Sequence, residues 1–182
     1  MSTHSLLDHE NFRKIYEQLR GVSLNPERHE TQNAYEHCEQ VRERVRELAA
    51  RNKISLWETR FLENVALAHD IGKISGSSSP RASLKILRDL KLGDKQFLDM
   101  IKYHDINLPW YQAYLRGEAP SESDWRKLSR KVELKLLLIF MIADRVDCPG
   151  GWKNNQPLRW FLNEARCFNL YTLPILTQGN GS

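Results

Sequence analysis

Apolar residues recur at steps of three and four along most of this chain, a spacing that predicts amphipathic α-helices. The clearest case lies within 27–51, where one side of the predicted helix is apolar: Ala34, Cys38, Val41, Val45 and Leu48. No segment shows the sustained alternation of apolar and polar residues that is typical of a strand. The pattern therefore predicts an all-α fold.

Start and stop signals divide this pattern into separate helices. The predicted helices cover 8–20, 27–51, 55–68, 79–92, 94–104, 123–144 and a last segment that begins at Pro157. Ser55 and Glu58 form a capping-box pattern, Pro80 suits a first helical position, and Asp94 suits an N-cap. The aromatic stretch 109–120 is predicted to be irregular, and 177–182 to be a disordered tail.

Composition limits the class of protein. The chain has 182 residues, of which 41% are hydrophobic and 27% charged, so we expect one globular domain over 1–176. The longest apolar run, 136–143, is eight residues long and too short to span a bilayer. The N-terminus lacks a secretory pattern, and three cysteines without metal-type spacing fit a cytoplasmic protein. A net charge of +4 is compatible with an anionic substrate but does not require one.

The doublet His69-Asp70 follows the apolar run of the predicted helix 55–68 and precedes a loop rich in glycine and serine. A carboxylate beside aliphatic side chains is costly unless a cation or hydrogen-bond donors compensate it. A divalent metal ion compensates it well, and histidine with aspartate is a suitable ligand pair. Taken alone, a capping aspartate beside a surface histidine explains the doublet more simply.

Polar residues also occur at other positions where a helix is otherwise apolar. His37 borders the apolar side of its helix, His104 extends another apolar side, and Asp144 directly follows the run 136–143. Lys73 lies within one helical turn of Asp70. Each has an ordinary structural explanation: a hydrogen-bonded boundary histidine, a salt bridge between Asp144 and Arg145, or a solvated lysine.

Together, His37, His69, Asp70 and Asp144 supply two imidazoles and two carboxylates from three predicted helices. Side chains on facing helices converge in the core of a bundle, where metal sites are common. A mixed set of nitrogen and oxygen ligands suits a first-row divalent metal with open positions for water and substrate. The sequence therefore predicts a metal site.

This ordered pattern resembles the HD-domain superfamily of metal-dependent phosphohydrolases. The matching residues are His37, the doublet within the sequence Ala-His-Asp-Ile-Gly-Lys at 68–73, and Asp144, and the resemblance covers about 27–152. It implies a helical bundle of the HD type. It also implies that His37, His69, Asp70 and Asp144 bind one divalent ion, whose identity is open among Mn, Co, Ni, Mg, Zn and Fe.

The resemblance further implies roles near the metal. Lys73 matches a lysine that contacts substrate phosphate in the family, and Arg145 is expected to stabilise charge on the phosphoryl oxygens with it. His104 falls where some members bind substrate or a second metal, and we expect it to bind phosphate or protonate the leaving oxygen. The segment 141–147 is similar to HD domains attached to bacterial CCA-adding enzymes, which act on 2′,3′-cyclic phosphates and 2′-nucleotides. The implied reaction is hydrolysis of a phosphomonoester or cyclic phosphodiester of a nucleotide or an RNA end.

Two other functions are considered. The chain would be a regulatory module if it bound a metal or nucleotide without turning it over. It would be an oxidative enzyme if it held two irons, but His104 is the only histidine between the doublet and Asp144.

We expect the aromatic residues Trp110, Tyr111, Tyr114 and Trp125 to pack in the core rather than stack on bases. We expect the basic residues Arg126, Lys127, Arg130 and Lys131 to form a solvated helix face. Any protein partner is left open.

Overall fold

Helices dominate the architecture of residues 5–168, the part of the chain that the computed structural model describes. The α-helices are α1 (Glu10–Glu17), α2 (Ala34–Asn52), α3 (Leu56–Ala68), α4 (Pro80–Asp89), α5 (Lys95–Tyr103), α6 (Asn107–Leu115), α7 (Glu122–Ser129), α8 (Leu134–Ala143) and α9 (Gln156–Cys167). Short 3₁₀ turns occupy Leu6–Asp8, Gln18–Gly21, Ile71–Ser75 and Trp152–Asn154.

The all-α prediction is confirmed, since these residues contain no strand and their β-pairing is limited to one isolated bridge between Ser23 and Asn33. Among them, no helix combines the length and the apolar character that crossing a membrane requires. The tail predicted at 177–182 lies outside the described residues.

Several helix ends form where the sequence predicts them. Ser55 and Glu58 make a reciprocal capping box at the start of α3, and Pro80 occupies the first turn of α4. The side chain of Asp94 accepts a hydrogen bond from the backbone N–H of Phe97 and so caps α5. Local chemistry is enough to place these ends, because each cap satisfies backbone donors that the helix cannot pair itself.

The predicted start of the second helix at residue 27 is wrong, because α2 begins at Ala34. Asn33 is its N-cap and accepts a hydrogen bond from the Glu36 amide. The preceding residues fold back as a loop, in which the Leu24 amide donates to the Gln32 carbonyl. The residues of this loop are therefore free to contact the far end of α8.

Two further expectations about helices are wrong. Helix α6 occupies much of the stretch predicted to be irregular, since Pro109 lies in its first turn, where a missing N–H costs little. The predicted helix 123–144 is instead two helices, α7 and α8. The amides of Lys131 and Val132 both donate to the Leu128 carbonyl, which closes α7, and buried Val132 joins the core.

Helix α8 lies at the centre of the core. Every residue from Leu136 to Ala143 is buried, so the helix is apolar on all sides. Helix α2 packs against both α3 and α8, and α3 also contacts α8. The three helices that carry the predicted metal ligands are therefore mutual neighbours.

Candidate metal centre

The candidate centre lies where the C-terminal ends of α3 and α8 meet one side of α2. His37 extends from the first turns of α2, His69 and Asp70 follow α3, and Asp144 is the C-cap of α8. All four are at most 8% exposed. The structure thus brings together, below the surface, the four residues that the sequence proposes as ligands.

A tight turn presents both residues of the doublet to the same site. His69 keeps helical backbone angles, whereas Asp70 has φ −106° and ψ 8°, in the sparsely populated region where many active-site residues lie. Ser83 holds the turn, since its hydroxyl donates to the His69 carbonyl (2.7 Å) and accepts from the Gly72 amide (2.9 Å). Gly72 permits this approach, because a Cβ there would lie 2.4 Å from the Ser83 nitrogen.

The donor atoms of the four residues converge. His37 Nε2 and His69 Nε2 lie 3.3 Å apart, and each is 3.1 Å from Asp144 Oδ1. Asp70 Oδ2 lies 3.7 Å from His37 Nε2 and 3.4 Å from His69 Nε2. One donor atom each from His37, His69 and Asp70 fits within a span of 4.8 Å.

The hydrogen bonds of the two nearby histidines fix which ring nitrogen faces the site. His69 Nδ1 is 2.9 Å from the Ala66 carbonyl, and His104 Nδ1 is 2.7 Å from the Ile101 carbonyl. A carbonyl only accepts, so each Nδ1 carries the proton. In the neutral ring, Nε2 then keeps its lone pair, which is the form that ligates a metal or accepts a proton.

Opposite charges determine the protonation of this cluster. Burial disfavours the charged form of His69, but the carboxylates of Asp70 and Asp144 outweigh it and raise the pKa of His69 to about 10. Burial also opposes ionisation of Asp70, yet His69 and Lys73 hold the pKa of Asp70 far below its usual range. Protons and a divalent cation therefore compete for the same imidazole nitrogens.

A pocket of about 740 Å³ opens above the cluster. Its lining includes Asp70 and Asp144 and three other residues that the sequence proposes for substrate: Lys73, His104 and Arg145. Lys73 Nζ lies 2.6 Å from Asp70 Oδ2. Arg145 contacts Asp144 Oδ2 with one guanidinium nitrogen and Asp105 Oδ1, at 2.6 Å, with another. Apart from His69, which lies beneath the lining, the candidate residues all line this one pocket.

The comparison with family models decides the classification. The model of the HD domain matches residues 34–148, which contain every candidate ligand. The chain belongs to the HD-domain family. Comparisons with curated proteins and with solved structures return no match. HD domains are generally metal-dependent hydrolases that bind divalent ions, so the fit of such an ion to this chain can be tested on its own residues.

The residues present fit a divalent ion. Two imidazole nitrogens and two carboxylate groups are a donor set typical of first-row metals. The immediate surroundings hold four carboxylates and two cations, which leaves a formal charge of −2 with neutral imidazoles: Asp70, Asp105, Asp144, Asp147, Lys73 and Arg145. A divalent cation would balance that charge in a place where unbalanced burial is costly.

Sequence reasoning missed several residues of this HD site, including Asp105, which pairs with Arg145. Ser83 fixes the doublet turn, and His29 and Asp147 form a second group of possible metal donors with His37. The spacing of Asp147, three residues after Asp144, was a usable signal, because it corresponds to about one helical turn. His29 lies in the loop before α2, which the sequence predicts to be helical. Its approach to the site could be predicted only with the correct start of α2.

Proposed function

We propose that this HD domain is a metal-dependent phosphohydrolase that acts on a phosphomonoester or cyclic phosphodiester of a nucleotide or an RNA end. One observation carries the proposal. The buried donors of His37, His69, Asp70 and Asp144 converge at the base of a pocket that also contains cationic side chains. A phosphate group that binds to a metal needs metal ligands and, near them, cationic side chains. This cavity has both.

The four converging residues would hold one divalent ion per chain. When bound, the ion supplies Lewis-acid polarisation of a phosphoryl oxygen and activation of water. Asp144 is already held in place by Arg145, and Asp70 by Lys73, so the protein orients both carboxylates itself. This order in the carboxylates lowers the cost of assembling the site.

Lys73 and Arg145 are the residues proposed to stabilise negative charge on the substrate. Lys73 is 15% exposed and Arg145 16% exposed, so both groups are largely shielded from water, where their charges act more strongly. The ammonium of Lys73 has three N–H donors and the guanidinium of Arg145 has five. Their contacts with Asp70, Asp144 and Asp105 use only some of these donors, so others can bind phosphoryl oxygens.

His104 is proposed to bind the phosphate or to protonate the leaving oxygen. It is 3% exposed, lines the pocket, and packs edge to face against His69 with ring centroids 5.3 Å apart. Because Nδ1 donates to the Ile101 carbonyl, the nitrogen available to exchange a proton is Nε2, which lies 3.6 Å from Asp105 Oδ2. A positioned imidazole is suited to transferring a proton to a leaving oxygen.

The pocket supports a substrate of nucleotide size. Its volume, about 740 Å³, lies within the range of roughly 300–1,000 Å³ that holds drug-sized ligands. Arg28 and Lys102 add cationic side chains to the lining away from the donor cluster. An anionic substrate that is larger than inorganic phosphate would match both the size and the charge of this cavity.

The test combines metal analysis with a phosphoester panel of nucleoside monophosphates, 2′,3′-cyclic nucleotides and RNA ends. The wild-type protein should contain about one divalent ion and hydrolyse at least one class. Asp70→Ala should lose the metal and the activity while it keeps its helical circular dichroism. Asp89→Ala is the matched control, because Asp89 is an exposed carboxylate that pairs with Lys85 at the surface.

The outcomes separate the candidate functions. Unchanged hydrolysis by the Asp70→Ala variant would contradict the proposal. A rise in melting temperature with a nucleotide, without any product, would instead indicate a regulatory binding module. Two irons per chain would indicate an oxidative enzyme.

A further inference from the structure

Asp147 is a buried carboxylate outside the proposed ligand set, in the segment that follows α8. It is 1% exposed, and three groups of side-chain donors surround it. Its Oδ2 accepts from Thr31 Oγ1 at 2.5 Å and lies 3.0 Å from His29 Nδ1. Its Oδ1 lies 3.1 Å from His37 Nδ1. These neighbours compensate the burial of the Asp147 charge.

We propose that Asp147 is a positioning residue for the metal centre, which holds His37 in the ring orientation and tautomer that present its Nε2 to the metal. The inference rests on the proposed function, because it assumes that His37 is a ligand. Nothing in it requires Asp147 to contact the metal or the substrate.

The two nitrogens of His37 face different groups. Nε2 lies 3.1 Å from Asp144 Oδ1 and 3.3 Å from His69 Nε2, within the donor cluster. Nδ1 faces the opposite way, toward Asp147. A neutral imidazole carries a single N–H. With that proton on Nδ1, the charge of Asp147 stabilises it, and Nε2 has a lone pair for the metal.

The surroundings of this contact offer neither atom another hydrogen-bond partner among the described residues. Within the described residues, His37 Nδ1 and Asp147 Oδ1 are both buried, and neither makes a well-aligned hydrogen bond, even to the other at 3.1 Å. At this distance the two atoms would satisfy each other once the imidazole or the carboxylate turned into alignment. Binding of a metal to His37 Nε2 would fix the plane of the ring, so the two groups can become aligned when the metal binds.

Asp147 also links this ligand to a wall of the pocket. Its backbone carbonyl accepts from the Glu30 amide at 2.8 Å, so three consecutive residues, 29–31, are fastened to it. His29 and the neighbouring Arg28 line the pocket. The loop before α2 is thus held against the end of α8 by the same residue that faces His37.

A second metal site at His29, His37 and Asp147 is the competing interpretation, since their donors fit within 4.8 Å. It would require His37 Nδ1 to lose its proton while Nε2 already ligates the first ion. An imidazole that ligates through both nitrogens must give up both protons, which is a costly state. The stoichiometry of binding distinguishes this interpretation from ours.

Asp147→Asn is the informative variant, because it keeps the shape and has one oxygen in place of two. Two donors, His29 and Thr31, converge on Oδ2, so the amide oxygen is better placed there. The amide NH₂ would then face His37 Nδ1 and favour the tautomer with the proton on Nε2, which cannot ligate. We expect the affinity for Co²⁺, titrated by calorimetry into chelator-stripped protein, to fall about 10- to 100-fold.

Thr31→Val is the matched control. It removes one donor to Asp147 and loosens the loop, but leaves the contact with His37 in place. Its affinity for Co²⁺ should stay within about 3-fold of the wild type, even where its melting temperature falls as much as that of Asp147→Asn. Equal losses of affinity in both variants would show that Asp147 only anchors the loop, and would overturn the inference.

Two more measurements distinguish the positioning role of Asp147 from the other interpretations. In a long-range ¹H–¹⁵N spectrum of the Zn²⁺-loaded wild type, the His37 proton should lie on Nδ1, and a proton on Nε2 would overturn the inference without any variant. Two Co²⁺ ions in the wild type and one in Asp147→Asn would make Asp147 a ligand instead. A wild type that binds no Co²⁺ would refute the proposed metal site itself, whereas normal binding in both proteins would refute only the role of Asp147.

Discussion

Two clusters of large side chains are buried in this protein, and their burial has opposite energetic signs. One is the group of histidines and aspartates where α2, α3 and α8 meet. The other is aromatic and joins α6, α7 and α9: Trp125 is fully buried, with its ring centroid 4.9 Å from that of Trp110 and 4.6 Å from that of Phe161. Burying apolar rings is favourable by itself. Burying ionisable groups is unfavourable unless they are paired.

The burial of the aromatic cluster favours folding, whereas the polar cluster holds the candidate functional residues. The aromatic cluster is stabilised by its own burial. The structure supports the expectation that Trp125 packs in the core. Tyr111 and Tyr114 lie further out, against Trp160, and Tyr114 is 46% exposed, so the expectation that it packs in the core is wrong. The polar cluster stabilises little, because each charge in it mainly offsets the burial of another. If the cluster carries the proposed chemistry, changes in it should alter activity more than folding.

The largest effect should come from the polar cluster. Asp144→Asn keeps the size of the side chain but removes the charge that faces both His37 and His69. We expect activity on the best substrate of the panel to fall by roughly 10³-fold or more, in line with the loss of a group aimed at the reacting centre. Urea unfolding of the metal-free protein should change by no more than about 2 kcal/mol, because Arg145 keeps its pair with Asp105 and His69 keeps its contact with Asp70. A variant that unfolds readily yet stays active would reverse the comparison.

The aromatic cluster should show the opposite behaviour. Trp125→Ala removes a fully buried ring, and we expect it to lower the free energy of unfolding by about 3–5 kcal/mol. The fraction that remains folded should keep its affinity for Co²⁺. Trp57→Ala is the control, since Trp57 is 43% exposed and stacks on Phe61 at the surface of α3. Similar losses in the two variants would show that the cluster is not a core.

Gly72→Ala tests a position that contributes both to packing and to the metal site. A methyl group at residue 72 would lie 2.4 Å from the Ser83 nitrogen and 2.6 Å from the Ala82 Cβ. The turn would have to move away from α4, at a cost of about 1–3 kcal/mol. Because Ser83 also holds the His69 carbonyl, affinity for Co²⁺ should fall as well. Gly21→Ala should do neither, since no atom lies within 4 Å of the added group. Loss of stability without any loss of metal would separate the turn from the site.

The sequence predicts the fold well wherever a local signal decides. The spacing of apolar residues gives the helices, and caps such as Ser55 and Asp94 give their starts. It fails where tertiary contacts decide. The break before α8 follows from the burial of Val132 rather than from a glycine or proline, and α6 tolerates Pro109 because the proline falls in its first turn.

The site could be predicted as a set of residue types but not as a network. His37, the doublet and Asp144 stand out because polar residues at the edge of apolar helix faces need a reason. Their partners do not stand out. Asp105, which holds Arg145, and Ser83, which holds the doublet, are ordinary polar residues in the sequence, and only the fold brings them to the site.

The smallest effect should come from the basic residues of α7, which are outside both clusters. Arg126 donates to Glu122 and Lys127 to Asp124, in pairs spaced along one helix, and both side chains are about two-thirds exposed. Water screens such pairs, so Arg126→Ala and Lys127→Ala should shift the melting temperature by less than about 2 °C. If this face is only solvated, as we expect, the double variant should also leave any affinity for single-stranded RNA and its dependence on salt unchanged. A shallower salt dependence would show that these cations contact phosphates, because each lost contact lowers the slope by about one.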